Sequence, residues 1–200
     1  MTTYNLPNNS VVKVHDIFDA LPVFMKRADV IFSDPPYNQA LLSNFSNREK
    51  IKLSTNNTVL FPDFQKRFFE CIDEIKPKKL FIEIGKQYKE TFYSECEKRY
   101  SYVSIYESTY YHNKKNKCWI IVAEKEHRYY PFGGIDEEEV IKWICSNLEY
   151  ECIGDLCMGM GLVGYHSFLN GKSFVGTELN KKRLAVLVDK INKKLKKGLE

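Results

Sequence analysis

The sequence predicts an α/β fold built on a mostly parallel, doubly wound sheet with one antiparallel strand. Three observations point there. Short apolar runs of strand length alternate with segments of helical period through the 200 residues. The connections are mostly short and polar, with no internal repeat or low-complexity tract. The composition, 44% apolar and 28% charged, is that of a chain that buries a core, which excludes a disordered protein. The length suits one domain, residues 1–200.

Val11 to Val14 is a short apolar strand ending at His15-Asp16. Ile17, Phe18, Leu21, Phe24 and Met25 follow at helical spacing, and Asp29 to Ser33 is a buried strand, so the three make one β-α-β unit. Residues 38–57 are polar, asparagine-rich and aperiodic, which predicts a long loop of the functional kind. Pro62 opens a helix that carries Phe64, Phe68, Cys71, Ile72 and Ile75 on one face, and Pro77 stops it. Leu80 to Ile84 is the next buried strand, and a helix from about Gln87 to Lys98 follows. Tyr102 to Glu107 and Cys118 to Ala123 read as antiparallel strands joined by a loop rich in tyrosine and lysine. Asp136 and Glu139 form a capping box, stapled by Ile135 and Val140, so a helix starts there with Val140, Ile141, Ile144 and Leu148 facing inward. Cys152 to Cys157 is a strand, a glycine-rich turn leads into a short helix ending near Asn170, and Ser173 to Thr177 is a further strand. The last helix repeats Leu184, Leu187, Val188, Ile191 and Leu195 on one face.

Two corners carry chemistry. Asp34-Pro35-Pro36-Tyr37 directly follows the strand DVIFS, at a carboxyl end where open α/β sheets bind ligands. The paired prolines remove two backbone donors and stiffen the turn, which leaves carbonyl oxygens beside a carboxylate and a flat ring. Such a corner can accept hydrogen bonds from an exocyclic amine and stack on its base. The second is Asp155-Leu156-Cys157-Met158-Gly159-Met160-Gly161-Leu162-Val163-Gly164, again between a strand and a helix. Glycines there let the backbone approach a ligand, and the following helix offers free amide donors. Glu178 ends the next strand, 17 residues after Gly161, and can accept bonds from ribose hydroxyls. By itself this half of the chain would also suit a dinucleotide dehydrogenase.

Together the two corners resemble the S-adenosylmethionine-dependent DNA amino-methyltransferases, the adenine-N6 and cytosine-N4 enzymes, in the permuted class that places D-P-P-Y before the glycine motif. The resemblance covers nearly the whole chain. It implies a circularly permuted, Rossmann-like methyltransferase fold, S-adenosylmethionine as cofactor, DNA as substrate, and a target base turned out of the duplex. It further implies that Asp34 and the Pro35 carbonyl accept the amine hydrogens, that Pro36 shapes the corner and that Tyr37 stacks on the base. Asp16, Asp34, Asp155, Cys157, Met158, Gly159, Gly161 and Glu178 would hold the cofactor, and no metal is implied.

The chain departs from the family's usual Asp-Pro-Phe with Asp155-Leu156-Cys157, which replaces an aromatic wall by a smaller thiol. Arg183 stands near the usual aromatic after the ribose acid, and Leu162 and Val163 replace threonines that often follow the second glycine. Adenine is favoured over cytosine because the cytosine-N4 members more often carry serine for the aspartate. DNA is favoured over RNA because the RNA adenine enzymes commonly carry tryptophan in the fourth place. The contrasting reading is a degenerate, non-catalytic subunit that binds nucleic acid in a methyltransferase complex.

The net charge is +4, and its distribution says more than its size. Lys114, Lys115 and Lys117 lie beside Tyr110 and Tyr111, a pattern suited to phosphates and unstacked bases. With Asn38 they are the candidate nucleic-acid contacts, and residues 38–58 and 108–117 are the candidate recognition segments. These are small, so a homodimer or a second subunit is an expected source of further specificity. A basic run in the last helix reads as a solvated face. The six cysteines show no C-x-x-C pair, no apolar stretch reaches membrane-span length and the amino terminus has no leader pattern, so a cytoplasmic protein without a structural zinc is expected.

Overall fold

The structure is a computed structural model that describes residues 2–44 and 59–197. Eight strands among these residues form one mixed sheet. They are β1 (Thr3–Leu6), β2 (Ser10–Val14), β3 (Val30–Ser33), β4 (Lys79–Ile84), β5 (Tyr102–Tyr110), β6 (Asn113–Glu124), β7 (Cys152–Asp155) and β8 (Ser173–Glu178). Their spatial order is β1-β2-β8-β7-β3-β4-β6-β5. The run from β2 to β4 is parallel throughout, as expected for strands that read as unbroken apolar segments. The antiparallel β6 is the expected one, and β1 adds a second by pairing with β2. Its sequence, TYNL, is too short and polar to announce a strand, and it forms because β2 would otherwise leave an open edge.

Helices cover both faces. On one lie α1 (Phe61–Ile75), α2 (Lys89–Glu97) and a short 3-10 helix, Val23–Arg27. On the other lie α3 (Glu137–Asn147), α4 (Leu162–Leu169) and α5 (Lys181–Lys197). The helix α1 buries Phe61, Phe64, Phe68, Phe69, Cys71, Ile72 and Ile75, and ends with Lys76 in the left-handed region just before Pro77. Asp136 caps α3, although its carboxylate takes the Glu138 amide and Glu139 turns outward to Lys142, so the reciprocal half of the capping box does not form.

The helix expected over residues 17–25 shrinks to the 3-10 turn. Pro22 has no N–H to donate and pushes Leu21 away from helical angles. The Arg67 side chain instead bonds the Ile17 and Asp19 carbonyls at 2.8 and 3.0 Å, tying this stretch to α1. Of the predicted loop, residues 39–44 are helical and residues 45–58 lie outside the described residues. The tyrosine and lysine segment is less of a loop than expected. Both strands run on to a two-residue turn, Tyr111-His112, with both residues at positive φ.

The chain after β3 moves to β4 and the chain after β7 moves to β8, in opposite directions across the sheet. A crevice opens where they part, at the carboxyl ends of β3 and β7. Asp34 follows β3 and Asp155 ends β7.

Candidate active site

Ser33 holds the floor of that crevice. Its hydroxyl donates to Asp155 Oδ1 at 2.8 Å and accepts the Leu156 amide at 2.9 Å, fixing the two strand ends against each other. Above it lies a cavity of about 450 Å3, within the usual range for a small-molecule site. Asp34, Pro35, Pro36, Tyr37, Asp16, Asp155, Cys157, Met158, Gly159, Glu178, Tyr110 and Tyr111 all line it. The two corners, over a hundred residues apart in sequence, therefore share one space.

The Asp34-Pro35-Pro36-Tyr37 corner is locked from below. The Tyr37 hydroxyl donates to the Glu83 carboxylate, and its ring lies over Gly85, where a side chain's first carbon would come within 2.8 Å of Tyr37 Cβ. Tyr110 meets Tyr37 edge to face at 5.8 Å, and Tyr111 meets Tyr110 at 5.1 Å. A stepped run of rings thus leads from Tyr37 to Tyr111, which is 72% exposed.

The glycine corner is shaped by Gly159 and Gly161, both at positive φ. Gly161 does not line the cavity. It turns the chain into α4 and lies so close to Leu187 that an added carbon would sit 2.6 Å from Leu187 Cβ. Glu178 reaches back across this turn, accepting the Gly159 amide at 2.7 Å and the Asn180 amide at 2.8 Å.

The cavity is strongly acidic. Asp34 keeps an exposed surface toward the cavity. Burial, then Glu83 and Asp155, push its carboxyl well above the usual range, while Arg183 opposes them. Burial lifts Asp155 to about 7 against the bonds from Cys157 N–H and Ser33, and lifts Glu83 to about 7 against the bond from Tyr37. Burial and the neighbouring Asp136 carry Glu137 to about 8. The Cys157 thiol is pushed far up by burial beside Asp155, so it is a neutral wall and not a nucleophile. All six cysteines are free thiols.

The remaining predicted contacts stand apart from the cavity. Asn38 accepts the Leu41 amide at 2.9 Å and caps the helical segment 39–44. Lys114 and Lys115 are exposed on the hairpin, and Lys117 pairs with Glu107 on the adjacent strand. Among the lining residues that escaped the sequence reading are the titratable His15, Glu83 and Glu137. His15 and Glu83 stand in apolar runs next to conspicuous motifs, and Glu137 is one of four consecutive acids whose burial only the fold decides. Among the described residues, no group of three or more histidine, cysteine or acidic side chains is arranged to hold a metal, and no helix is long and apolar enough to cross a membrane.

No protein-family model and no curated protein sequence matches the chain significantly. Solved structures do resemble its fold. M1.HpyAVI in complex with SAM superposes with a TM-score of 0.60 at 13% identity, covering 90% of this chain and 98% of that one. M1.HpyAVI alone gives 0.59 at 11% identity, covering 90% and 97%. TTHA0409 from Thermus thermophilus, a candidate DNA modification methylase solved with S-adenosyl-L-methionine, gives 0.56 at 10% identity, covering 84% and 86%. The likeness lies in the fold, a mixed and mostly parallel α/β sheet shared over most of each chain.

Proposed function

We propose that this protein is an S-adenosylmethionine-dependent DNA methyltransferase acting on the N6 amine of adenine. One observation carries the reading: the Asp34-Pro35-Pro36-Tyr37 corner opens on the same cavity as Asp155, Gly159 and Glu178. The fold shared with structures solved with this cofactor supports it. The lining fits the group, since the Glu178 carboxylate lies at the cavity wall and an acidic cavity suits a cation. Asp16 lines the same cavity.

When bound, the cofactor supplies an electrophilic methyl group on a sulfonium. Asp34 and the Pro35 carbonyl accept one amine hydrogen each, which draws the nitrogen lone pair out of conjugation with the ring and aims it. As the new C–N bond would form and the methyl–sulfur bond would break, leaving a neutral thioether, the nitrogen would gain positive charge, and Asp34 would take its surplus proton. The upward push on Asp34 makes it a better proton acceptor than an ordinary aspartate, and Arg183 favours the ionised form that must be present beforehand. Tyr37, held by Glu83 and seated on Gly85, offers its ring to the extruded base. Lys114 and Lys115 on the hairpin are suited to the DNA backbone.

The test is transfer of labelled methyl from S-adenosylmethionine to duplex DNA, single-stranded DNA and RNA, with the products digested to nucleosides. N6-methyladenine from DNA is expected. N4-methylcytosine or methylated RNA would replace the substrate assignment. No transfer, with no cofactor binding by calorimetry, would favour the non-catalytic subunit.

A further inference from the structure

Glu83 is a buried acid near the carboxyl end of β4. The parallel register sets Phe32 beside Phe81 and Ser33 beside Ile82, and the stacked rings of Phe32 and Phe81 show that such partners share a face. Continued one residue past β3, the same register brings Asp34 and Glu83 to that face on backbones roughly 5 Å apart. Both line the cavity. Glu83 also grips Tyr37 together with Gly85, since the hydroxyl donates to Glu83 while Tyr37 Cβ lies against Gly85. Two residues of strand rise roughly 6.6 Å, about the reach of a tyrosine from Cβ to hydroxyl, so the end of β4 holds the ring at both ends.

A neutral acceptor would hold that hydroxyl too, and a buried carboxylate is costly to keep. The neighbouring Asp34 accounts for the charge. After burial, Glu83 contributes most to raising Asp34, ahead of Asp155 and against Arg183. Burial lifts Glu83 itself to about 7, with Asp136 adding to the rise and the bonds from Tyr37 and the Cys118 thiol opposing it. The groups that face it are therefore Asp34 and Tyr37 beyond β3, Cys118 of β6, Asp136 and Glu137 at the start of α3, and Asp155 of β7. Tyr37 remains a donor throughout, because burial beside Asp34 and Glu83 pushes its phenol far up.

We propose that Glu83 is a positioning residue for methyl transfer, which fixes the tilt of the Tyr37 ring through its hydroxyl and sets a negative charge beside Asp34. This rests on the methyl-transfer reading above. A carboxylate next to a second negative charge binds a proton more tightly, so Asp34 takes the surplus proton of the amine more readily when Glu83 is ionised. The same charge makes Asp34 harder to ionise beforehand, which places the acid limb of the rate at a higher pH than Asp34 alone would set. The ring, held at both ends, presents one fixed face to the extruded base.

The experiment is single-turnover transfer of labelled methyl to duplex DNA as a function of pH, for the wild-type, Glu83→Gln, Glu83→Leu and Tyr37→Phe proteins and for each Glu83 variant combined with Tyr37→Phe. Glu83→Gln keeps an acceptor for the hydroxyl and loses the charge, so its acid limb should move down by about half a pH unit or more while its plateau falls only a few fold. Glu83→Leu loses the acceptor as well, and its plateau should lie about tenfold below that of Glu83→Gln. That extra loss should vanish once Tyr37 is phenylalanine, because the bond it reports is already gone. An acid limb unmoved in Glu83→Gln, or equal plateaus for Glu83→Gln and Glu83→Leu, would overturn the assignment and leave the methyltransferase reading standing. If the wild type transfers no methyl, both fall. Should Glu83→Leu not fold, the Glu83→Gln profile and the Tyr37→Phe plateau, which should also be about tenfold low, decide.

Discussion

At the scale of single residues, the proposed mechanism divides the site into groups that would act on the amine and groups that would hold the cofactor. Asp34→Ala removes the proposed proton acceptor but none of the bonds around Glu178, so methyl transfer should fall by about 10²- to 10⁴-fold with affinity for the uncharged S-adenosylhomocysteine largely kept. Single-turnover transfer and calorimetry on the same preparation check both halves. Normal turnover would remove Asp34 from the mechanism. Glu178→Ala should do the reverse. Its carboxylate gathers the Gly159 and Asn180 amides, so the substitution loosens the glycine turn and deletes a hydroxyl acceptor, and S-adenosylhomocysteine should bind about ten- to a hundredfold more weakly. Both acids were legible in the sequence because each closes a strand beside a distinctive turn. Glu83 and Glu137 were not, because a buried carboxylate looks in sequence like any surface acid, and only packing brings Glu83 under Tyr37.

At the scale of elements, two glycines support different things. Gly85 lies under the Tyr37 ring, and Gly161 turns the chain into α4 at a φ of +77° against Leu187. Gly161→Ala should cost about 1–3 kcal/mol of stability, since the added carbon meets Leu187 and the backbone angle is unfavourable. Gly85→Ala should lower turnover more than it lowers the melting temperature, because the atom that must yield is the Tyr37 side chain itself. Thermal melts read alongside methyl transfer separate the two, and equal losses in both assays for Gly85→Ala would count against Tyr37 as the base-stacking ring. Elements with strong periodicity, such as α1 and α5, were legible because one apolar stripe decides their packing. The turn Tyr111-His112 was not. Positive φ is normally announced by asparagine or glycine, and here the fold imposes it on bulky residues while Glu137 accepts the Tyr111 amide and Asp136 the His112 amide.

At the scale of the whole molecule, the cavity sets stability against binding through protons. Burial raises Glu83 and Asp155 to about 7 and Glu137 to about 8, and Asp34 also moves up. Unfolded, these carboxyls titrate near 4, so above that pH the folded state holds protons that the unfolded chain has released. Stability from these groups therefore falls as pH rises, until they ionise in the folded state. His15 and His166 work the other way, because their folded pKa values lie below the ordinary one and their cost is confined to lower pH. Between about pH 6.5 and 8 the acids dominate, and the melting temperature of the ligand-free protein should drop across that window. A sulfonium placed in the cavity favours the ionised carboxyls, so its binding releases protons and strengthens as pH rises. S-adenosylhomocysteine lacks that charge, and its stabilisation should respond less. Thermal shifts with each ligand at about pH 6.5 and about pH 8 test this directly: the advantage of S-adenosylmethionine over S-adenosylhomocysteine should widen at the higher pH. Parallel responses would mean that the acids do not sense the sulfonium. Asp155→Asn should narrow the difference, because it removes one acid beside Asp34 while the amide can still accept the Ser33 hydroxyl.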